Sequence, residues 1–293
     1  MNMKKKLLSA FVAISLLGSP AAVWAAEEVA AGAPAAESAA AAYSWEQLND
    51  QAIMSVLWMQ RSAEYRALCY QAYNMVRLQA RAKLAQHRPG DKPLAIVLDC
   101  DETIIDNSAF DAAYIGHDIY PYASLDNVTR WEEAGQGRVM PGAVALLQEL
   151  AAKDIAIFYV TDRVEKTMLA ATLRQFAALG LPSVDLRHVL LKNATSGHGK
   201  QGRFDAIARD YDVIVWMGDN ENDLPIGSYG KDMAARQAAV DAHAADFGTL
   251  FVMLPNPAYG SWESALAPGY AKMTAQQQND VRRANLTQWD GIR

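Results

Sequence analysis

The feature that most constrains this chain is a regular alternation, from Leu94 to Leu254, of short apolar runs with stretches of helical pattern. Leu94-Ala95-Ile96-Val97-Leu98 is apolar at every position, as a strand buried on both faces must be. Ile155 to Val160 makes a second run, Val189-Leu190-Leu191 a third and Val213 to Met217 a fourth, and Thr249 to Leu254 closes the series. Between them lie a helix opened by Pro141-Gly142 and running to about Ala152, another from about Val164 to Leu179, and a third from Lys200 to Arg209. This order predicts an α/β fold, a three-layer sandwich around a central parallel sheet. No internal repeat is visible.

Upstream, Trp45 to about Gln86 reads as helical. Met54, Leu57, Trp58, Tyr65, Leu68, Tyr73, Val76 and Leu84 recur at three- and four-residue intervals, and Pro89-Gly90 breaks the pattern. The first 25 residues read as a cleavable signal peptide. Lys4, Lys5 and Lys6 precede the apolar stretch Leu7 to Leu17, and Val23-Trp24-Ala25 offers small residues for cleavage after Ala25. The apolar run is short for a membrane span, and no cysteine nearby could carry a lipid. A periplasmic or secreted protein without stable membrane insertion is therefore expected. Residues 26–43, mostly Ala with Glu, Gly, Pro and Ser, read as a flexible linker, which leaves 44–293 for the folded part. A net charge of −6 argues against a nucleic-acid polymer as partner, since such a binder shows a basic face. The sequence is compatible with a homodimer and does not specify one.

In a parallel sheet, ligands sit beyond the carboxyl ends of the strands. Three of the runs end there in polar clusters: Asp99-Cys100-Asp101-Glu102-Thr103, Thr161-Asp162-Arg163, and Gly218-Asp219-Asn220-Glu221-Asn222-Asp223. Alone, Asp-x-Asp is often a cap and Gly-Asp-Asn a turn. Together they concentrate buried negative charge, which is costly unless something cationic compensates it. Carboxylate oxygens gathered around one hard cation are the usual resolution, and Mg²⁺ with retained waters fits best. Cys69 and Cys100 could be joined in an exported protein, but the preferred reading is two separate buried thiols. His117, His188, His198 and His243 show no metal-ligand spacing and read as loop or surface residues. Trp58, Tyr65, Tyr70 and Tyr73 read as packing.

These clusters, with Thr161 and a lysine near position 200, resemble the four signature motifs of the haloacid dehalogenase superfamily. The resemblance is closer still to the bacterial class C nonspecific acid phosphatases and covers nearly the whole mature chain. Its strings are Trp58 to Tyr65, Val97 to Thr103 with Asp106-Asn107-Ser108, Trp131 with Pro141-Gly142, and Leu254 to Glu263. The fold so implied adds a smaller, mainly helical cap lobe, built from the N-terminal helix and inserted segments. Two departures stand out: Phe110 where the family has Tyr, and Glu221 and Leu224 where it has Leu and Phe. They touch substrate preference, not the carboxylates.

The resemblance implies a Mg²⁺-dependent acid phosphatase acting on phosphate monoesters, nucleoside monophosphates and aryl phosphates among them. Asp99 would be the nucleophile and Asp101 the general acid and base. Asp99, Asp219 and the backbone carbonyl of Asp101 would bind the metal, with Asp223 orienting its waters. Thr161 would offer its hydroxyl, and Asp162 its amide, to the phosphoryl oxygens. Lys200, opening the helix before the last catalytic strand, matches the family lysine, with Lys192 the alternative. Phe110, Trp131 and Tyr259 would lie near the leaving group, Trp131 and Tyr259 forming a flat slot for a planar one. A phosphotransferase or a phosphatase with one dedicated substrate stays open. A non-catalytic storage or surface-binding protein would be expected to lack the nucleophile, and Asp99 is present.

Overall fold

The computed structural model describes residues 42–121, 125–195 and 199–291. The expected signal peptide, nearly all of the linker and His198 lie outside them. The chain first forms three helices, α1 (Trp45–Asp50), α2 (Ile53–Arg61) and α3 (Ala63–Gln86). The central strand β1 (Leu94–Leu98) follows, then β2 (Ile105–Asp106), α4 (Ser108–Ala112), α5 (Asp126–Ala134) and β3 (Arg138–Val139). Next come α6 (Ala143–Ala151), β4 (Ala156–Val164), α7 (Glu165–Ala178), β5 (Val189–Lys192), α8 (Gln201–Asp210) and β6 (Asp212–Gly218). The chain closes with α9 (Met233–Ala242), β7 (Phe251–Met253), α10 (Ser261–Ser264) and α11 (Ala275–Ala284).

Five strands form one parallel sheet in the order β5-β4-β1-β6-β7. β1 is the middle strand because it is apolar on both faces. Ile96 and Leu98 join one core with Tyr65, Leu146 and Phe176, whereas Ala95 and Val97 join the other with Phe204 and Ile207. Helices thus cover both faces, and the expected α/β three-layer sandwich is present. The chain runs from β1 outward through β4 and β5, then returns to β6 on the other flank. The order reverses at β1, where a crevice is expected at the strand ends. β2 and β3 pair antiparallel as a separate two-stranded sheet just beyond that end.

The amino-terminal helical stretch is divided where the sequence reading ran it together. Ser62 ends α2 in an extended conformation and caps α3, its hydroxyl accepting from the Tyr65 amide at 3.0 Å. The buried stripe of α3 is Tyr65, Cys69, Ala72, Tyr73, Val76 and Ala80. Small residues there let the helix lie close on β6 and β7, while Met54, Leu57 and Leu68 are exposed. Cys69 and Cys100 are both buried and unbonded to one another, as two separate thiols. No described helix is long and apolar enough to cross a membrane.

Candidate active site

The carboxyl ends of β1, β4 and β6 converge. β1 continues past Leu98 with the Asp99 amide donating to the Met217 carbonyl at 2.9 Å, which presents the Asp99 carboxyl between its two neighbours. The chain then turns sharply. Glu102, fully buried, adopts a left-handed φ of 51°, a conformation that is costly for a residue with a Cβ and is held by its surroundings. Its amide donates to the Ile105 carbonyl at 2.7 Å, and its carboxylate accepts from the Asn107 amide and from the Tyr259 hydroxyl. The Tyr73 hydroxyl donates to the Thr103 carbonyl at 2.6 Å, so α3 props the same turn.

Beyond β6, Asp219 accepts from the Thr103 hydroxyl at 3.2 Å and from the Asn256 amide group at 2.8 Å. Asp223 folds back over the strand end and accepts from the Asn220 amide at 2.9 Å. Only glycine fits at 218, because a Cβ there would collide with the Asp223 side chain. Oxygens of Asp99, Asp219 and Asp223 all lie within 4.8 Å of one another. Such an all-oxygen set suits a hard divalent cation.

The electrostatics agree. Burial pushes the Asp99 carboxyl well above the usual carboxylate range, with Lys200 opposing and Asp223, Asp219 and Asp101 adding to the rise. Burial and Asp223 raise Asp219 to about 7. Lys200, at the start of α8, is 5% exposed, ion-paired to Asp99 and 2.7 Å from Asp223. Burial works against its charge, but Asp223 and Asp99 outweigh it and hold the ammonium protonated. Lys192, by contrast, stands in β5 without an ion pair among the described residues. Asp99, Asp101, Glu102, Asp219 and Asp223 face two described cations, Lys200 and Arg163. That excess is the negative field a bound cation would neutralise.

Asp101 is held differently. The Arg163 guanidinium grips both its oxygens, Nη2 to Oδ1 at 2.6 Å and Nε to Oδ2 at 3.0 Å, and Asn107 donates to Oδ1 at 2.8 Å. Burial alone would raise this carboxyl, but Arg163 and Asn107 hold it below its ordinary value. Arg163 is also ion-paired to the buried Glu132 of α5. Burial and Asp101 push Glu132 up to about 8, against Arg163. Thr161 is buried in the middle of β4's end, and its hydroxyl accepts from the Arg163 amide at 3.1 Å. Asp162 turns its side chain outward, 48% exposed, to Arg203 at 2.9 Å.

A cavity of about 710 Å³ opens beside this cluster, with Phe110 and Tyr259 in its wall. Trp131 is not part of that lining. Its indole N–H donates to Asn107 Oδ1 at 2.8 Å and its ring packs against Phe110 at 5.8 Å. Sequence reasoning gave no role to Arg163, Asn107, Glu132 or Asn256. Arg163 stood in plain view beside Thr161 and Asp162, but nothing local signals that its side chain reaches back to Asp101. His188 and His243 pair with Asp185 and Asp246 and stand in no metal-ligand group. Glu221, one of the departures noted above, pairs with the buried Arg236 of α9 at 2.8 Å, tying the loop of Asp219 and Asp223 to that helix.

Residues 21–262 match the family described as HAD superfamily, subfamily IIIB (acid phosphatase). Among solved structures, the class C acid phosphatase from Bacillus anthracis is 34% identical, with a TM-score of 0.76 over 83% of this chain and 99% of that one. A crystal structure of the Bacillus anthracis class C acid phosphatase with tungstate bound is 33% identical, with a TM-score of 0.75 over the same shares of the two chains.

Proposed function

The chain belongs to subfamily IIIB of the HAD superfamily, the acid phosphatases, and is a phosphomonoester hydrolase; from that premise we propose that it hydrolyses its esters with Mg²⁺ through an aspartyl-phosphate on Asp99. The observation that carries the reading is the meeting of Asp99, Asp219 and Asp223 around one buried ammonium, Lys200, at the ends of the two central strands.

Asp99 Oδ2 attacks phosphorus while Lys200 stays with the other oxygen and with Asp223, so the ammonium faces charge that develops on the transferring group. The phosphoryl oxygens meet the Thr161 hydroxyl and the Asp162 amide. Asp101 gives a proton to the departing oxygen, then takes one from the water that cleaves the acyl phosphate. Asp99, Asp219 and the Asp101 carbonyl would hold Mg²⁺, with Asp223 orienting its waters. Bound there, the ion supplies charge stabilisation to the phosphoryl oxygens.

Phe110 and Tyr259 in the cavity wall favour planar leaving groups, nucleosides and aryl alcohols among them. The export reading belongs to this proposal too. N-terminal sequencing of the mature protein should begin at Ala26, and retention of Met1 would refute cleavage.

A panel of phosphomonoesters assayed with and without EDTA, from about pH 4 to pH 8, tests the whole. Mg²⁺-dependent release of phosphate from several esters is expected. Release from none would sink the proposal, and full activity in excess chelator would sink its metal.

A further inference from the structure

The ladder between β4 and β5 breaks where the catalytic residues of β4 begin. It pairs Tyr159 with Val189 and Val160 with Leu190, then resumes only at Val164 with Lys192. Thr161, Asp162 and Arg163 are thus set against the single residue Leu191, a bulge of the kind that re-aims a strand beside a reacting centre. A bulge leaves carbonyls that the ladder no longer bonds, and buried carbonyls need donors.

Arg203 supplies them. It stands in the first turn of α8, three residues after Lys200, and its amide donates to the Lys200 carbonyl at 3.0 Å. Its side chain is buried. Nη1 donates to the Thr161 carbonyl at 2.5 Å and to the Leu190 carbonyl at 3.0 Å, so one nitrogen spans the two strands at the break. Nη2 donates to Asp162 Oδ1 at 2.9 Å and to the Gly199 carbonyl at 3.4 Å. Of the guanidinium nitrogens, Nε alone is left without a partner. A lysine ammonium has no such fork to offer.

The bond to Thr161 bears on catalysis through peptide geometry. The Thr161 carbonyl and the Asp162 N–H belong to one planar, trans peptide unit, in which they point opposite ways. Fixing the carbonyl on Arg203 therefore fixes the direction of the amide. The charged donor also polarises that unit, which strengthens the N–H as a donor in its turn. Lys200, at the start of the same turn, reaches Asp99 and Asp223, and residues three apart share a helix face. We propose that Arg203 is a positioning residue for phosphoryl transfer: it aims the Asp162 amide at the transferring group and holds that amide in register with Lys200.

This inference rests on the phosphatase mechanism proposed above, and its test separates the two. The wild type, Arg203→Lys and Arg203→Met are compared with Mg²⁺ on p-nitrophenyl phosphate and glycerol 2-phosphate, with orthovanadate as a competitive probe of the phosphoryl site. In Arg203→Met both esters should slow by the same factor, about ten- to a hundred-fold, the range reached when a group is misplaced by about 1 Å. The Ki of orthovanadate should rise by a similar factor, and the Mg²⁺ concentration for half activity should not change. Arg203→Lys, which can bond one carbonyl but not bridge both strands and Asp162, should fall between. Ki does not depend on how much of the protein is folded, so a merely structural role lowers kcat and leaves Ki unchanged. That outcome overturns the proposal, and with p-nitrophenyl phosphate still hydrolysed the phosphatase reading stands. Slowing of glycerol 2-phosphate alone would assign the effect to Asp101 and overturns it equally. Hydrolysis of neither ester by the wild type overturns both. Should Arg203→Met fail to fold, Arg203→Lys decides, and an unchanged vanadate Ki there counts against the proposal.

Discussion

Lys200 Nζ is ion-paired with Asp99 and lies 2.7 Å from Asp223 Oδ1, so one ammonium bridges carboxylates that follow two neighbouring strands. Its charge opposes, without outweighing, the burial that raises the Asp99 carboxyl. Lys200→Met should therefore cut kcat roughly a hundred- to a thousand-fold, as lost charge stabilisation typically does. Asp99→Asn keeps the shape but removes the attacking oxygen charge, and turnover should fall by several orders of magnitude. Both are read on p-nitrophenyl phosphate. Near-normal turnover of Asp99→Asn would take the nucleophile's role away from it.

Metal removal follows from the same charge count. Dialysis against EDTA should abolish turnover and Mg²⁺ should restore it, while Ca²⁺, larger and less strict in geometry, should restore it poorly. Asp219→Asn, which leaves the Thr103 and Asn256 contacts possible but removes one anionic ligand, should raise the Mg²⁺ concentration needed for half activity. An unchanged Mg²⁺ requirement in that variant would remove Asp219 from the metal site.

Asp101 is the carboxyl that Arg163 grips, and that grip sets a direction. Held below the usual carboxylate range, it carries its proton in a fraction that shrinks as pH rises. Leaving groups that need the proton should therefore be released faster at lower pH. For alkyl phosphates kcat should climb as pH falls toward the ordinary carboxylate range, and for p-nitrophenyl phosphate it should change far less. Asp101→Asn should slow the alkyl esters most. Equal slowing of both kinds would show that Asp101 is not the acid.

The aromatic expectation can now be made residue-specific. Tyr259 and Phe110 line the cavity, while Trp131 spends its N–H on Asn107, which in turn holds Asp101. Phe110→Ala should raise KM for AMP and aryl phosphates about ten-fold or more, the size of one lost stacking contact, and spare small alkyl phosphates. Trp131→Phe keeps an aromatic ring but drops the hydrogen bond, so it should lower kcat for alkyl esters with little change in KM. The reverse pattern in the two variants would put Trp131 in the slot and Phe110 outside it.

What the sequence made legible was whatever a local pattern encodes. β1 shows as five apolar residues because both its faces are covered, and Asp99, Thr161 and Asp219 show because they stand where such runs stop. The α3 stripe was harder to read. Its buried face uses Cys69, Ala72 and Ala80, whose small side chains let the helix lie close on the sheet, while bulkier Leu68 points outward. Long-range partners left no trace. Arg163 meets Asp101 62 residues away in sequence, and Glu132 meets Arg163 from a helix with no motif of its own.

The raised carboxyls make the protein's stability depend on pH and on metal in a way that can be signed. Glu132 is pushed up to about 8, and Asp219 and Asp111 to about 7, burial being the first cause in each. Unfolded, all three would ionise near the ordinary carboxylate value of about 4. Between that value and about 7 to 8 the folded protein binds more protons than the unfolded chain, so stability falls as pH rises through the window. The depressed Asp101 acts with the opposite sign, but only below the usual carboxylate range, outside this window. Metal-free protein should therefore melt at a lower temperature at pH 8 than at pH 5.5. Mg²⁺ should flatten the slope, because a bound cation favours the ionised Asp219 in the folded state. Glu132→Gln should flatten it further at its alkaline end, since an amide imitates the protonated acid and never has to ionise beside Asp101. Thermal melts of the wild type and Glu132→Gln, with EDTA and with Mg²⁺ at both pH values, measure each share. A metal-free melting temperature that rises from pH 5.5 to pH 8 would mean that these carboxyls are ionised in the folded protein, and the buried negative charge inferred for the site would then need a compensating cation other than Lys200 and Arg163.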